Sequence, residues 1–247
     1  MGDAKNSHHP LYTGLEDTFY ESKKMIDFSP FPNVDRISPF SHLRISIDTI
    51  RISPYKNTIS KYIANKDFKL ETIKSNSKIS ANVKKLLWNK QTTSLKRIIM
   101  PHFKNIIMAT PDYLNQKSNY KKCVVTAFGL SQPNKPLHVE AKEELQHLFN
   151  KFNIISFDLS IDSSKPIDTS HLGVFGAVTR KYTTQYINKP LYLSSVSKIC
   201  YYDKSFKDNL SSPLYRLELT IKTSGRLREM IIPFDEIELI LNLITHI

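Results

Sequence analysis

Hydrophobic and polar residues alternate along HLRISIDTIRIS from His42, where Ile45 and Ile47 are set against Ser46 and Asp48 and the apolar series continues through Ile50 and Ile52. A period of two predicts a strand with one face buried. Further strands are expected within LKRIIMPHFKNIIMAT, which Pro101 interrupts, in YKKCVVTAFGL, in NIISFDLSID and in SPLYRLELTIKT, and short β segments joined by polar turns are expected over 173–209. In HVEAKEELQHLFNKF the period changes: Ala141, Leu145, Leu148, Phe149 and Phe152 fall on one face of a helix, with acids near its start and Lys151 near its end. A strand, helix, strand unit follows from this order. A closing helix is predicted with Asp235 as N-cap and Ile237, Ile240, Leu241 and Ile244 on one face. Ahead of His42, Pro10, Pro30, Pro32 and Pro39 break any regular element, so residues 1–40 read as an extended N-terminal arm and residues 41–247 as one domain. The similar strand endings ISIDT (45–49) and LSIDS (159–163) leave two related half-domains open. The expected fold class is α+β: a twisted, mostly antiparallel sheet covered by a few helices.

Charge narrows the choice of partner. Lys and Arg total 35 against 23 Asp and Glu, a formal net charge of +12 in 247 residues, which makes nucleic acid the leading partner. No run approaches the roughly 20 apolar residues of a membrane-spanning helix, and no apolar h-region follows the N-terminus, so a cytoplasmic protein without a membrane partner is expected. The segment 57–94 is dense in lysine. Of its lysines, Lys61, Lys66, Lys69, Lys84 and Lys85 are candidate phosphate contacts, with Val83, Leu86 and Leu87 as a short helical stripe and Trp88 placed to stack on a base. A solvated charged face and a core tryptophan are the plain alternatives. Cys123 and Cys200 lie in apolar contexts without zinc-ligand spacing, and a reduced pair is expected.

Two strands carry candidate chemistry. Alternation places Asp158, Ser160 and Asp162 on one face of FDLSID, and Arg216, Glu218 and Thr220 together in YRLELTIK. Aligned carboxylates can hold a divalent cation, which polarises a phosphate, and they also occur on ordinary solvated sheet faces. Tyr182, Tyr186, Tyr192, Tyr201 and Tyr202 cluster nearby, and a phenolic oxygen beside a metal-bound phosphate can act as a nucleophile. His8 and His9 are adjacent in the arm, His138 and His147 read as surface residues, and no P-loop occurs.

The run NIISFDLSIDSSKPID after an amphipathic helix, the following PLYLSSVSKICYYDKSFKDN, the strand PLYRLELTIK and the turn FGLSQPNKP together resemble rolling-circle replication initiators of the filamentous-phage gene II type and the trans-acting plasmid families. The resemblance spans residues 120–225 and rests on order and spacing. It implies an origin-specific DNA-binding protein that nicks and religates one strand through a phosphotyrosine. By position, Tyr192 would be the nucleophile with Tyr202 as second choice, and Lys204 and Arg216 would steady phosphate charge. Asp158, Asp162 and Glu218 would hold Mg2+ or Mn2+. An origin-like or hairpin DNA and a host helicase are the implied partners. The chain departs from the pattern where Leu193, Ser194, Ser195 and Val196 replace a Gly-Ser-Arg tract, and where Ser156 replaces an arginine. The alternatives are a non-catalytic DNA-binding factor on the same scaffold (a repressor, recombination accessory or element-maintenance protein) and a structural or RNA-associated basic protein.

Overall fold

A computed structural model describes residues 43–74, 92–111, 121–132, 137–172, 175–178, 184–227, 230 and 232–245. The expected arm (1–40), the stripe of Val83, Leu86 and Leu87, and the candidates Lys84, Lys85, Trp88 and Tyr182 lie outside these residues. Ten strands are described: β1 (Leu43–Ile52), β2 (Lys69–Thr72), β3 (Thr92–Ile99), β4 (Ile106–Pro111), β5 (Val124–Phe128), β6 (Ile154–Ser163), β7 (Phe175–Val178), β8 (Gln185–Ile187), β9 (Val196–Asp203) and β10 (Tyr215–Lys222). They form one sheet in the order β2-β3-β4-β5-β1-β6-β10-β9-β8-β7, with every described pairing antiparallel. Among the described residues four α-helices accompany it: α1 (Lys56–Asn65), α2 (Val139–Lys151), α3 (Lys204–Asp208) and α4 (Phe234–Thr245). The α+β class expected from the pattern is the one observed.

The strand order divides at the centre. From β1 the sheet runs outward through β5, β4, β3 and β2, and from β6 it runs outward through β10, β9, β8 and β7. Each half starts on a central strand, crosses to the edge and returns as an antiparallel meander to lie beside its first strand. Ser46 and Ser160, the second residues of ISIDT and LSIDS, face each other in the β1–β6 register. The repeated pentapeptide therefore sits where the two halves meet. The strand, helix, strand unit is β5–α2–β6. Both strands are antiparallel to β1, which lies between them, so they run parallel to each other on either side of it.

One face of the sheet carries the main core. Ile45, Ile47, Ile50 and Ile52 of β1, Phe157, Leu159 and Ile161 of β6, and Leu217, Leu219 and Ile221 of β10 pack with Ile59 and Ile63 of α1, Leu145, Leu148 and Phe149 of α2, and Ile237, Ile240, Leu241 and Ile244 of α4. The spacing of the buried α2 residues is the one read from its period. Phe152, just past its end, is buried as well and meets the Tyr62 ring edge-on at 5.5 Å between centroids. The run LKRIIMPHFKNIIMAT forms two strands, because the turn at Pro101–His102 lets β3 and β4 pair with each other. The closing helix starts at Phe234, which puts Asp235 in its first turn and not at its N-cap. Helix α1 has a period too short to stand out in a lysine-rich stretch: only Ile59 and Ile63 are buried on it. Two residues past its end, Asp67 has a φ of 54°, a left-handed conformation in which the helix cannot continue. On the opposite face of the sheet, Leu95, Ile107 and Ala109 form a second small apolar cluster with Ile73 and Phe128.

Candidate functional site: an ion-paired face of the central strands

The polar side chains of β1, β6, β10 and β9 meet on the face of the sheet away from the helices. A bulge makes this possible on β1. The register slips between Ile47 and Thr49, so Asp48 is the extra residue, and the chain beyond it keeps Ile50 and Ile52 in the core while Arg51 joins the polar side. Asp158 and Asp162 of β6 lie opposite Thr220 and Arg216 of β10, and Glu218 lies between them, opposite Ser160.

Two bidentate arginine–aspartate pairs organise the face. Arg216, with 1% of its side chain exposed, donates from Nε and Nη2 to the two carboxylate oxygens of Asp162, each at 2.6 Å. Its Nη1 donates to Asp48 Oδ1 at 3.1 Å, and Nη2 also reaches the Ser131 carbonyl at 3.3 Å. Arg51 holds Asp158 in the same way, donating from Nη1 at 2.8 Å and Nη2 at 2.7 Å, and Thr220 Oγ1 adds a bond to the same carboxylate at 2.8 Å. Burial works against the charge on both guanidinium groups. Their carboxylate partners outweigh it, so each pKa lies above the ordinary arginine value. For Asp48 burial is the strongest influence and raises its pKa despite the nearby Arg216. A turn between β5 and α2 closes this end of the cluster. Gly129 takes a φ of +66°, which suits glycine, and Gln132 Nε2 then donates to Asp48 Oδ1 at 3.2 Å.

Glu218 has different company. Tyr202 donates its hydroxyl to Oε2 at 3.3 Å, and Lys198 Nζ lies 3.5 Å from Oε1. Cys200, between them on β9, has its thiol pushed up to about 12 by burial and then by Glu218. Burial, followed by Glu218, also raises the Tyr202 phenol well above its ordinary range.

The geometry answers several expectations carried by the resemblance. Asp158, Asp162 and Glu218 are on one face, as alternation requires, but they do not gather around a point. A strand rises about 3.3 Å per residue, so the Cα atoms of Asp158 and Asp162 are about 13 Å apart. One ion with ligand distances of about 2.0–2.6 Å cannot take both. Each aspartate also has both oxygens engaged by a guanidinium group, and among the described residues no three His, Cys, Asp or Glu side chains are grouped to hold a metal ion. The single Mg2+ or Mn2+ site expected from the three carboxylates therefore does not fit these residues. Arg216 and Lys204, expected to steady a phosphate, are 0% and 2% exposed. Arg216 is committed to Asp162 and Asp48, and Lys204 to Asp208 at 2.7 Å. Tyr202 is 4% exposed, and its raised pKa opposes the phenolate that a nucleophile needs.

Tyr192 stands elsewhere. It lies in the β8–β9 connection, 60% exposed, next to the buried Leu193. That connection is fastened by α4, where Glu236 accepts from the backbone N–H groups of Ser195 and Val196 and from Ser194 Oγ at 2.9–3.1 Å. Of the lysines singled out, Lys61, Lys66 and Lys69 are exposed on α1, at its C-cap and on β2. Sequence reasoning passed over Asp48 and Arg51. Two signals were present: Asp48 occupies in ISIDT the place that Asp162 occupies in LSIDS, and Arg51 is a charge between two core isoleucines. No protein-family model matches the chain, and no curated protein sequence matches it.

Proposed function

We propose that the protein is a DNA-binding factor that holds its target without cutting it, on a sheet of the initiator-like kind. The observation that carries this reading is the closure of Asp158 by Arg51 and of Asp162 by Arg216. A guanidinium group there supplies the positive charge that a cation would otherwise bring, and it leaves no open coordination position. The DNA-binding part rests on the net charge of +12 and on the exposed lysines Lys56, Lys61, Lys66 and Lys69. Such a protein gains affinity by releasing counterions from phosphates, so its binding weakens as salt rises. An origin-like or hairpin site is the target in this reading, and a host helicase is a candidate partner in recruiting replication machinery.

Binding to supercoiled and linear DNA, followed by denaturing electrophoresis in Mg2+ or Mn2+, tests it. Affinity should fall with log salt by about 0.9 log units for each phosphate neutralised, with the DNA recovered intact. Failure to bind at low salt would contradict DNA binding. A protein–DNA adduct that survives denaturation and disappears in Tyr192→Phe would establish nicking instead, since Tyr192 is exposed enough for a phosphate to reach it.

A further inference from the structure

We infer that Tyr55, Lys56, Lys121 and Lys122 form a contact surface for single-stranded DNA; this rests on the DNA-binding reading above and names where an unpaired strand is held. Two distant pieces of chain are joined at this point. The Lys56 N–H donates to the Lys121 carbonyl at 2.7 Å, Tyr55 pairs with Lys122 in an isolated antiparallel bridge, and the Cys123 N–H donates to the Pro54 carbonyl at 2.9 Å. Beneath the bridge, Pro54 and Cys123 are buried. This backbone arrangement brings Lys56, Lys121 and Lys122 to one junction with Tyr55.

The side chains turn outward from that base. Tyr55 is 45% exposed, and Lys122 Nζ lies 5.7 Å from its centroid. Lys56 and Lys122 are exposed and Lys121 is half-buried. Neither chain segment brings a neutralising acid, since residues 49–66 and 113–139 contain no Asp or Glu. The far end of α1 differs: Lys66 shares a groove of about 340 Å³ with Glu140, Glu143 and Glu144 of α2. The positive field of α1 is therefore concentrated at the Tyr55 end.

An exposed ring among ammonium groups selects for unpaired nucleic acid. Duplex bases are stacked on one another and offer only phosphates to such a patch. An unpaired base can lie on the ring while the lysines hold the flanking phosphates.

Fluorescence anisotropy with labelled oligothymidylate and with its duplex tests this on the full chain. Tyr55→Ala should weaken oligothymidylate binding about tenfold and leave duplex binding within about twofold, whereas Tyr55→Phe should keep both. Lys56→Gln with Lys122→Gln should lower the single-strand salt slope by about 0.7 for each phosphate that the two ammonium groups neutralise. If Tyr55→Ala binds oligothymidylate like the wild type, or loses duplex binding equally, the surface is wrong while DNA binding stands. If Tyr55→Ala fails to fold, an unchanged salt slope in the lysine pair overturns the proposal by itself. A wild-type protein that binds neither probe would instead overturn the DNA-binding reading.

Discussion

Along β6, Phe157, Leu159 and Ile161 pack toward the helices, while Asp158, Ser160 and Asp162 face the other side of the same strand. The two rows are equally buried and differ in how they depend on their neighbours. On the apolar face each side chain has several partners of one kind, so removing one leaves the rest packed together. On the polar face each carboxylate depends on one named arginine, and losing that arginine strands a charge in a dry place. The apolar face supplies most of the driving force for folding. The polar face fixes which strand positions are opposite, because a slip of one residue would bring Asp162 and Asp158 into the core.

The polar face should be most sensitive to Arg216→Met. It leaves Asp162 and Asp48 without their cation, and an unfolding free energy lower by about 3–5 kcal/mol is expected from denaturant titration. A loss below about 1 kcal/mol would mean that the face is wetter than its burial indicates.

On the apolar side, Leu145→Ala truncates one buried side chain of α2 and should cost about 2–5 kcal/mol, at the lower end if the neighbouring side chains close the gap. A crystal structure or chemical-shift map of that variant should show changes confined to α2 and the strands beneath it.

Smaller effects separate the two acids whose pKa values move in opposite directions. For Glu236, burial opposes the charge, but the Ser195 and Val196 N–H groups and the Ser194 hydroxyl outweigh it, and its pKa lies below the ordinary 4.5. Its contribution to stability is present above pH 4.5 and is lost as pH falls through the folded-state value. Glu236→Gln should therefore cost about 1 kcal/mol at neutral pH and flatten that acid-side loss. Asp48 has the opposite sign. Its folded-state pKa is raised above 3.8, so the folded state binds the extra proton and stability declines as pH rises through that window. Asp48→Asn should remove this decline. Urea unfolding midpoints across pH measure both, and a matching pH profile for the two variants would contradict the assignment.

Much of the fold was legible in the sequence because it follows from local period. The alternation of β1, β6 and β10 and the apolar stripe of α2 needed no knowledge of their partners. The repeat of ISIDT and LSIDS left two related half-domains open, and the strand order runs as two meanders that meet at the strands carrying it. Helix α1 was not legible, since two buried isoleucines in a lysine-rich stretch give too little signal. The site was legible only in part. Which face Asp158, Asp162 and Glu218 occupy follows from a period of two. What neutralises them does not, because Arg51 is 107 positions from Asp158 and Arg216 is 54 from Asp162. The bulge at Asp48, which brings Arg51 to the same face while Ile50 and Ile52 stay in the core, is a property of pairing that no single strand announces.

A calorimetric titration of the protein with Mn2+ tests whether the two arginines have taken the place of a metal ion. If Arg51 and Arg216 already serve as the counter-ions of Asp158 and Asp162, no stoichiometric site should appear, and Asp158→Asn and Asp162→Asn should leave the titration unchanged. A one-to-one site that either substitution abolishes would contradict the account.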